Sequence, residues 1–248
     1  MAINTNWSRY YQCQKLWSKN GAELMTQTII DHLVVGAAEL DRAAKQMQDF
    51  IKAEFLAGGK HPLMATHNRL IKLQKSLYME IIAADPSASL PKNAKIKNRW
   101  FSLDSCATQK RLSHAPQPLC WVVAVNNIEQ TSMHCGYNPG NVIEMTRGDL
   151  KWKITVSENG ELPESGVLPI LIEWPNGKHP TKTMPENSIF LENLNLFHPH
   201  PNEIKQILSK LNVNGPIRVN LGEPKLQFLL KTPDNTNVTF SENCLLKF

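Results

Sequence analysis

Cysteine is scarce in this chain and follows no pattern. Its five residues, Cys13, Cys106, Cys120, Cys135 and Cys244, form no CxxC pair and are odd in number. A zinc ribbon and a disulfide framework are thereby disfavoured, and a reducing cytoplasm fits. Long apolar runs are missing too. None approaches the roughly 20 residues that a membrane span requires, so no membrane partner is expected. The first residues are polar and aromatic rather than basic then apolar, unlike a secretory signal. There is no GxGxxG, no phosphate-loop lysine motif, no GxSxG elbow and no HExxH. Dinucleotide, nucleotide, serine-hydrolase and zincin chemistries lose their usual signatures with them. The net charge of +5 comes from dispersed basic residues, with Lys92, Lys95, Lys97 and Arg99 as the one local cluster. No binding motif accompanies that cluster, so it reads as a solvated loop and no nucleic-acid partner is expected.

What is present begins with two unusual strands. Residues 28–36, Thr-Ile-Ile-Asp-His-Leu-Val-Val-Gly, form an apolar run with an imidazole, His32, at the centre. Residues 77–83, Leu-Tyr-Met-Glu-Ile-Ile-Ala, carry a carboxylate, Glu80, in the same place. An ionisable group inside a core strand must be hydrogen-bonded, liganded or exposed to a wet cavity, because leaving it unpaired costs several kcal/mol. Two such strands point to a site lined by strands.

The pattern around them repeats. Strand 28–36 precedes an amphipathic helix near 39–56, where Leu40, Ala43, Ala44, Met47, Phe50, Ile51 and Phe55 recur at helical spacing. Gly58-Gly59 is read as its stop. Strands 67–73 and 77–84 follow, with a further short one near 61–65. After a polar loop opened by Asp85-Pro86, strand 119–125, a short helix over 127–135 and strands 142–146, 150–156 and 168–174 repeat the order. A third round comprises strand 189–196, helix 202–212 and strands 217–221, 226–231 and 237–240. The expected class is α+β, with repeated β-α-β-β-β units and helices packed on one face. Residues 1–27 read as an N-terminal extension, 28–118 as the first unit with its long loop, 119–186 as the second and 187–248 as the third, in one continuous domain over 28–240.

Several segments carry a family resemblance: Ile30-Asp31-His32-Leu33-Val34-Val35, Gly59-Lys60-His61-Pro62, Thr66-His67-Asn68-Arg69-Leu70 and residues 78–86. Arg147-Gly148-Asp149-Leu150-Lys151-Trp152 and residues 168–174 with His179-Pro180 extend it. In this joint order the chain resembles the glyoxalase-like domain family of the vicinal oxygen chelate (glyoxalase, bleomycin resistance, dioxygenase) superfamily. The resemblance implies a curved sheet around a cavity, small-molecule chemistry of lyase, isomerase or dioxygenase type, and a homodimer. It also implies a divalent metal, which imidazole and carboxylate would suit as Zn²⁺, Fe²⁺, Mn²⁺ or Ni²⁺. The alternative is a metal-free binding or resistance-type protein with no cofactor.

In that superfamily the first strand of a unit offers a His and its last strand a Glu. His32 and Glu80 sit on those strands, and they read as metal ligands, as a metal-free pocket lining or as a hydrogen-bonded core pair. In the second unit the position matching His32 falls near Trp121, which cannot ligate and reads as a substrate-binding wall. Glu173 falls near the expected carboxylate and is the third candidate ligand. The third unit has Asn193 and Thr239 at the corresponding places. His67 is a candidate ligand or general base, which with Glu80 makes the catalytic pair, while Asn68 and Arg147 are read as substrate-binding. Arg147 would clamp a carboxylate or carbonyl. His61 and His179, each before a proline, read as loop residues, and His198 and His200 as an extended lead into a helix. Arg99-Trp100-Phe101 reads as a loop anchor or a lid, and Cys120 as an inert core thiol.

Overall fold

The computed structural model describes residues 28–92, 96–242 and 244–247. The readings placed on residues 1–27 and on Lys95 lie outside them. Strand β1 (Thr28–Gly36) is buried along nearly its whole length, because it runs through the middle of the larger of two sheets. On one side it pairs in parallel with β4 (Tyr78–Ala84), and on the other it runs antiparallel to β5 (Gln117–Ala124). Helix α1 (Leu40–Ile51), β2 (Leu56–His61) and β3 (Thr66–Lys72) complete the first unit. Helix α2 (Cys106–Leu112) lies in the long connection. The second unit continues from β5 with α3 (Ile128–His134), β6 (Asn141–Arg147), β7 (Leu150–Val156) and β8 (Ile170–Glu173). The strand order is β2-β3-β4-β1-β5-β8-β7-β6, so each unit repeats the same succession outward from the β1–β5 junction. The short β10 (Val213–Asn214) pairs beside the start of β1.

This sheet is curled. β2 and β6, at opposite ends of the strand order, come into contact. Gly58 and Gly59 leave room for the neighbouring chain on either side, Gly58 for β3 and Gly59 for β6. A Cβ on Gly58 would overlap Asn68, and one on Gly59 would overlap the Arg147 side chain. The two glycines are therefore part of β2 and do not form a helix stop. Helix α1 ends earlier than its apolar pattern suggests, at Ile51, where Lys52 takes a left-handed backbone (φ 56°). Phe55 is buried all the same, but from the connection into β2. Helix α2 has no counterpart in the sequence reading. It is short, and only Thr108 and Leu112 are buried, too few to print a periodic stripe.

The third unit forms its own sheet from β9 (Phe190–His198), β11 (Ile217–Leu221), β12 (Lys225–Lys231), β13 (Asn237–Ser241) and β14 (Cys244–Lys247), in the order β11-β9-β12-β13-β14. Helix α4 (Pro201–Lys210) connects β9 to β10. Leu194, Leu196, Phe228 and Phe240 of this sheet share one core with Leu33, Trp121, Val123 and Leu171 of the curled sheet and Met47 of α1. A second core lies inside the curl, where Val34, Ile82, Val122, Ile154 and Ile172 meet Trp100 and Phe101 of the long loop. The alternation along β1, with Leu33 and Val35 outside and Val34 inside, divides the two cores. The class is α+β, a curled half-barrel sheet with helices, as expected. No helix among the described residues is long and apolar enough to cross a membrane.

Candidate functional site

A cleft of about 340 Å³, its mouth included, opens inside the curl. His32, Glu80, Asn68 and Arg147 converge there from β1, β4, β3 and β6. Its floor depends on an irregularity in β1. Ile30 pairs with Val123 and His32 with Val122, so two residues advance on β1 for one on β5 and Asp31 is the extra residue. In an unbroken strand Asp31 and His32 would face opposite ways; the bulge lets their side chains meet. Asp31 Oδ1 lies 2.6 Å from His32 Nδ1. Its other oxygen accepts from Trp174 Nε1 at 2.9 Å and from His179 Nε2 at 3.1 Å.

Asp31 is 2% exposed. Burial alone would raise its pKa, but the hydrogen bonds from His179 and His32 outweigh that and hold the carboxyl at about 2. An ionised Asp31 can only accept, so His32 Nδ1 carries the proton and a neutral His32 turns its Nε2 lone pair to the cleft. Glu80 Oε1 lies 3.9 Å from that nitrogen. Tyr78 stacks on the imidazole with ring centroids 4.6 Å apart, and burial, aided by Asp31 and Glu80, keeps its phenol protonated.

Asn68 joins the two halves of the site. Its Nδ2 donates to Glu80 Oε2 at 2.7 Å, and its Oδ1 accepts from Gly59 N at 2.8 Å and from Arg147 Nη1 at 3.1 Å. Only this orientation of the amide satisfies all three partners. Arg147 reaches Asn68 over Gly59, where no Cβ obstructs it. Gly59→Ala is expected to push Arg147 aside at a stability cost of about 1–3 kcal/mol, read as a lowered urea midpoint; an unchanged midpoint would show that the passage is not tight.

The walls are aromatic. Trp152 and Trp174 contact each other at 5.6 Å between centroids, and Trp100 stacks on Phe101 at 4.7 Å. His61 lies edge-on to Trp100 and Trp152. Its Nδ1 is 3.1 Å from Thr66 Oγ1, which also accepts from Trp100 Nε1. Burial drives the His61 pKa down to about 3, and the neighbouring Arg147, His32 and His67 push the same way. The imidazole is neutral at physiological pH.

Of the residues singled out in the sequence, the structure brings His32, Glu80, Asn68 and Arg147 together and places three elsewhere. Glu173 lies across the sheet from the cleft, where its carboxylate accepts from the Ile128 amide at the start of α3, at 2.8 Å. Trp121 is on the outer face of β5, fully buried between the two sheets with its indole donating to Val167 O. His67 is half-buried and, next to Asn68 along β3, points to the other face. The sequence did not single out Asp31, hidden by the bulge, or Trp174; of the two histidines read as loop residues, His61 ends β2 and lines the cleft, and His179 reaches Asp31 from its loop. A buried Asp beside a buried His was the available signal.

A metal bound in the usual manner of such cavities needs three or four converging donors. Among the described residues no group of three or more His, Cys, Asp or Glu is placed to hold one. His32 and Glu80 converge alone, Asn68 Oδ1 is occupied, and a guanidinium stands close by. On the second unit's side the cleft is lined by Ile154, Ile172, Trp152 and Trp174, none of which suits a hard or borderline cation. These residues do not fit a resident metal.

The family model of the glyoxalase-like domain matches residues 30–212. Among solved structures, a hypothetical protein from Staphylococcus aureus is 17% identical, aligns over 89% of this chain and 98% of its own, and has a TM-score of 0.61. Methylmalonyl-CoA epimerase from Mycobacterium tuberculosis is 11% identical over 62% of this chain and 89% of its own, with a TM-score of 0.38. The first likeness shows a shared fold; the second is too slight to carry an argument. No curated protein matches the chain. The matched segment covers both β-α-β-β-β units and every residue of the cleft, so the chain belongs to the glyoxalase-like domain family.

Proposed function

We propose that the chain is a small-molecule enzyme of isomerase or lyase type whose cleft moves a proton to and from a carbon next to a carbonyl. The observation that carries this reading is the Asp31–His32 pair, aimed at the cleft with Glu80 Oε1 3.9 Å from Nε2 on the neighbouring strand. Asp31 orients the ring and stabilises the imidazolium that forms when Nε2 takes a proton. The C–H bond breaks, its electron pair moves into the carbonyl to give an enolate, and the proton rests on His32. The proton on His32 then returns to the substrate at carbon or oxygen, and Glu80, 3.9 Å from Nε2, is placed to take part in that transfer. Two titratable groups in one cleft with separate partners, Asp31 for one and Asn68 for the other, are the arrangement that acid–base chemistry requires. The mutual arrangement of His32, Glu80 and Asn68 supports proton transfer more than simple storage of a ligand. Dioxygenase chemistry loses its support with the missing donors of the second unit.

The test is solvent exchange. The protein is incubated in D₂O with a panel of 2-oxo and 2-hydroxy acids, esters and ketones, and the loss of each Cα–H signal is followed by NMR. Catalysed exchange in at least one compound is expected. Binding of panel members without exchange in any of them would favour the metal-free binding protein instead.

A further inference from the structure

Arg147 is the unexplained group of the cleft. It is half-buried at the end of β6, and it donates a hydrogen bond to a neutral amide oxygen, Asn68 Oδ1. Arg69 pairs with Asp41, Arg99 with Asp104 and Arg111 with Glu242, while Arg42 and Arg218 are exposed to solvent. Arg147 has none within ion-pair distance among the described residues, although Glu80 lies in the same cleft. Asn68 is the reason. It stands between the two, spending its amide nitrogen on Glu80 and its oxygen on Arg147, and so keeps the carboxylate and the guanidinium from pairing. His61, beside Arg147, is neutral and adds no competing charge. A half-buried guanidinium without an anion is left with its charge unpaired, and the fold holds it there by passing it over a glycine on the facing strand.

We infer that Arg147 is the anion-binding residue of this cleft, and that the ligand is a carboxylate attached to a flat, aromatic or conjugated body. The carboxylate class follows from the planar fork of the guanidinium and the single cation available, which suit one carboxylate better than a phosphate dianion. The flat body follows from the walls. Trp152, Trp174, Trp100 and Phe101 all line the cleft, a setting that favours ring stacking over a bulky aliphatic group. With the carboxylate on Arg147, the carbon beside it faces His32 and Glu80. This inference rests on the proposed acid–base reading for its chemistry, but not for its binding.

The test uses phenylacetate, phenylacetamide and inorganic phosphate as probes, with binding read from quenching of tryptophan fluorescence. Phenylacetate is expected to bind at least about 10-fold more tightly than phenylacetamide and than phosphate. Arg147→Met is expected to weaken phenylacetate by about 10- to 100-fold and to leave phenylacetamide within about twofold. Arg147→Lys, which keeps the charge and the fold but not the fork, is expected to fall between. Near-equal binding of acid and amide by the natural protein, or phenylacetate binding unchanged in both variants, overturns the inference; so does phosphate binding the tightest. The same titration on His32→Ala separates the two proposals. Retained, Arg147-dependent phenylacetate binding without solvent exchange in the natural protein sinks the acid–base reading alone. Exchange confined to uncharged substrates and indifferent to Arg147 sinks this inference alone.

Discussion

His32→Ala is expected to lower catalysed solvent exchange by about 10²- to 10⁴-fold, the range a positioned general base contributes. Asp31→Asn is expected to fall in the same range while keeping the imidazole in place. The reason is tautomeric. An asparagine amide can donate to Nδ1, which moves the ring proton to Nε2 and turns the cleft-facing nitrogen from an acceptor into a donor. Asp31 is a positioning residue, so its variant must also change something that packing alone would not. The pH profile of exchange supplies that readout: a change in its shape, which a packing defect alone would not produce, is expected. The urea midpoint of each variant, with circular dichroism, separates loss of chemistry from loss of fold. Equal exchange rates in the natural protein and His32→Ala would remove His32 from the mechanism.

Acid should destabilise this protein well before its carboxylates titrate. His61 has a folded pKa of about 3 against an ordinary 6.5, because it is buried and close to Arg147, His32 and His67. Below pH 6.5 the unfolded chain takes up a proton that the folded chain refuses until about pH 3. The contribution of His61 to stability is therefore complete above 6.5 and lost as the pH falls, at about 1.4 kcal/mol per pH unit from this one group. Asp31 acts in a lower window. Its folded pKa of about 2 lies below the ordinary 3.8, so its contribution is complete above 3.8 and is lost as the pH falls through about 2. The His61 and Asp31 windows barely overlap, and urea unfolding between pH 7 and 4.5 reads the histidine. His61→Gln is expected to flatten that dependence by about one proton. An unchanged slope in the variant would mean that His61 is hydrated and titrates normally in the fold.

Much of this architecture is legible in the sequence. The repeated order of apolar runs places nearly every strand of the curled sheet, because each buried strand shows as a continuous or alternating run of β-branched and aliphatic residues. His32 and Glu80 stand out for a simple reason, as ionisable groups where a core strand has no use for them. The rest was concealed by tertiary geometry. Asp31 shares the site only because a bulge breaks the alternation of β1, and one residue of register decides which face a side chain takes. That single-residue rule also removes Glu173, which sits on the far face capping α3. Trp121 is a spacer between two sheets, and nothing in a single sequence says that a second sheet packs there. Gly58-Gly59 looks like a helix stop, because glycine pairs commonly are, yet both residues serve the closure of β2 on Asn68 and Arg147.

The central claim is that proton transfer in this cleft needs His32 and Glu80 but no protein-held metal. The most direct measurement is the solvent-exchange rate of chelator-treated protein, before and after adding back Zn²⁺, Mn²⁺, Fe²⁺ or Ni²⁺ in turn, with His32→Ala and Glu80→Gln alongside. The account predicts a rate unchanged within about twofold by chelation or by any added metal, and lost in both variants by about 10²-fold or more. A rate abolished by chelation and restored by one of these metals would contradict it, and would make His32 and Glu80 ligands rather than acid and base.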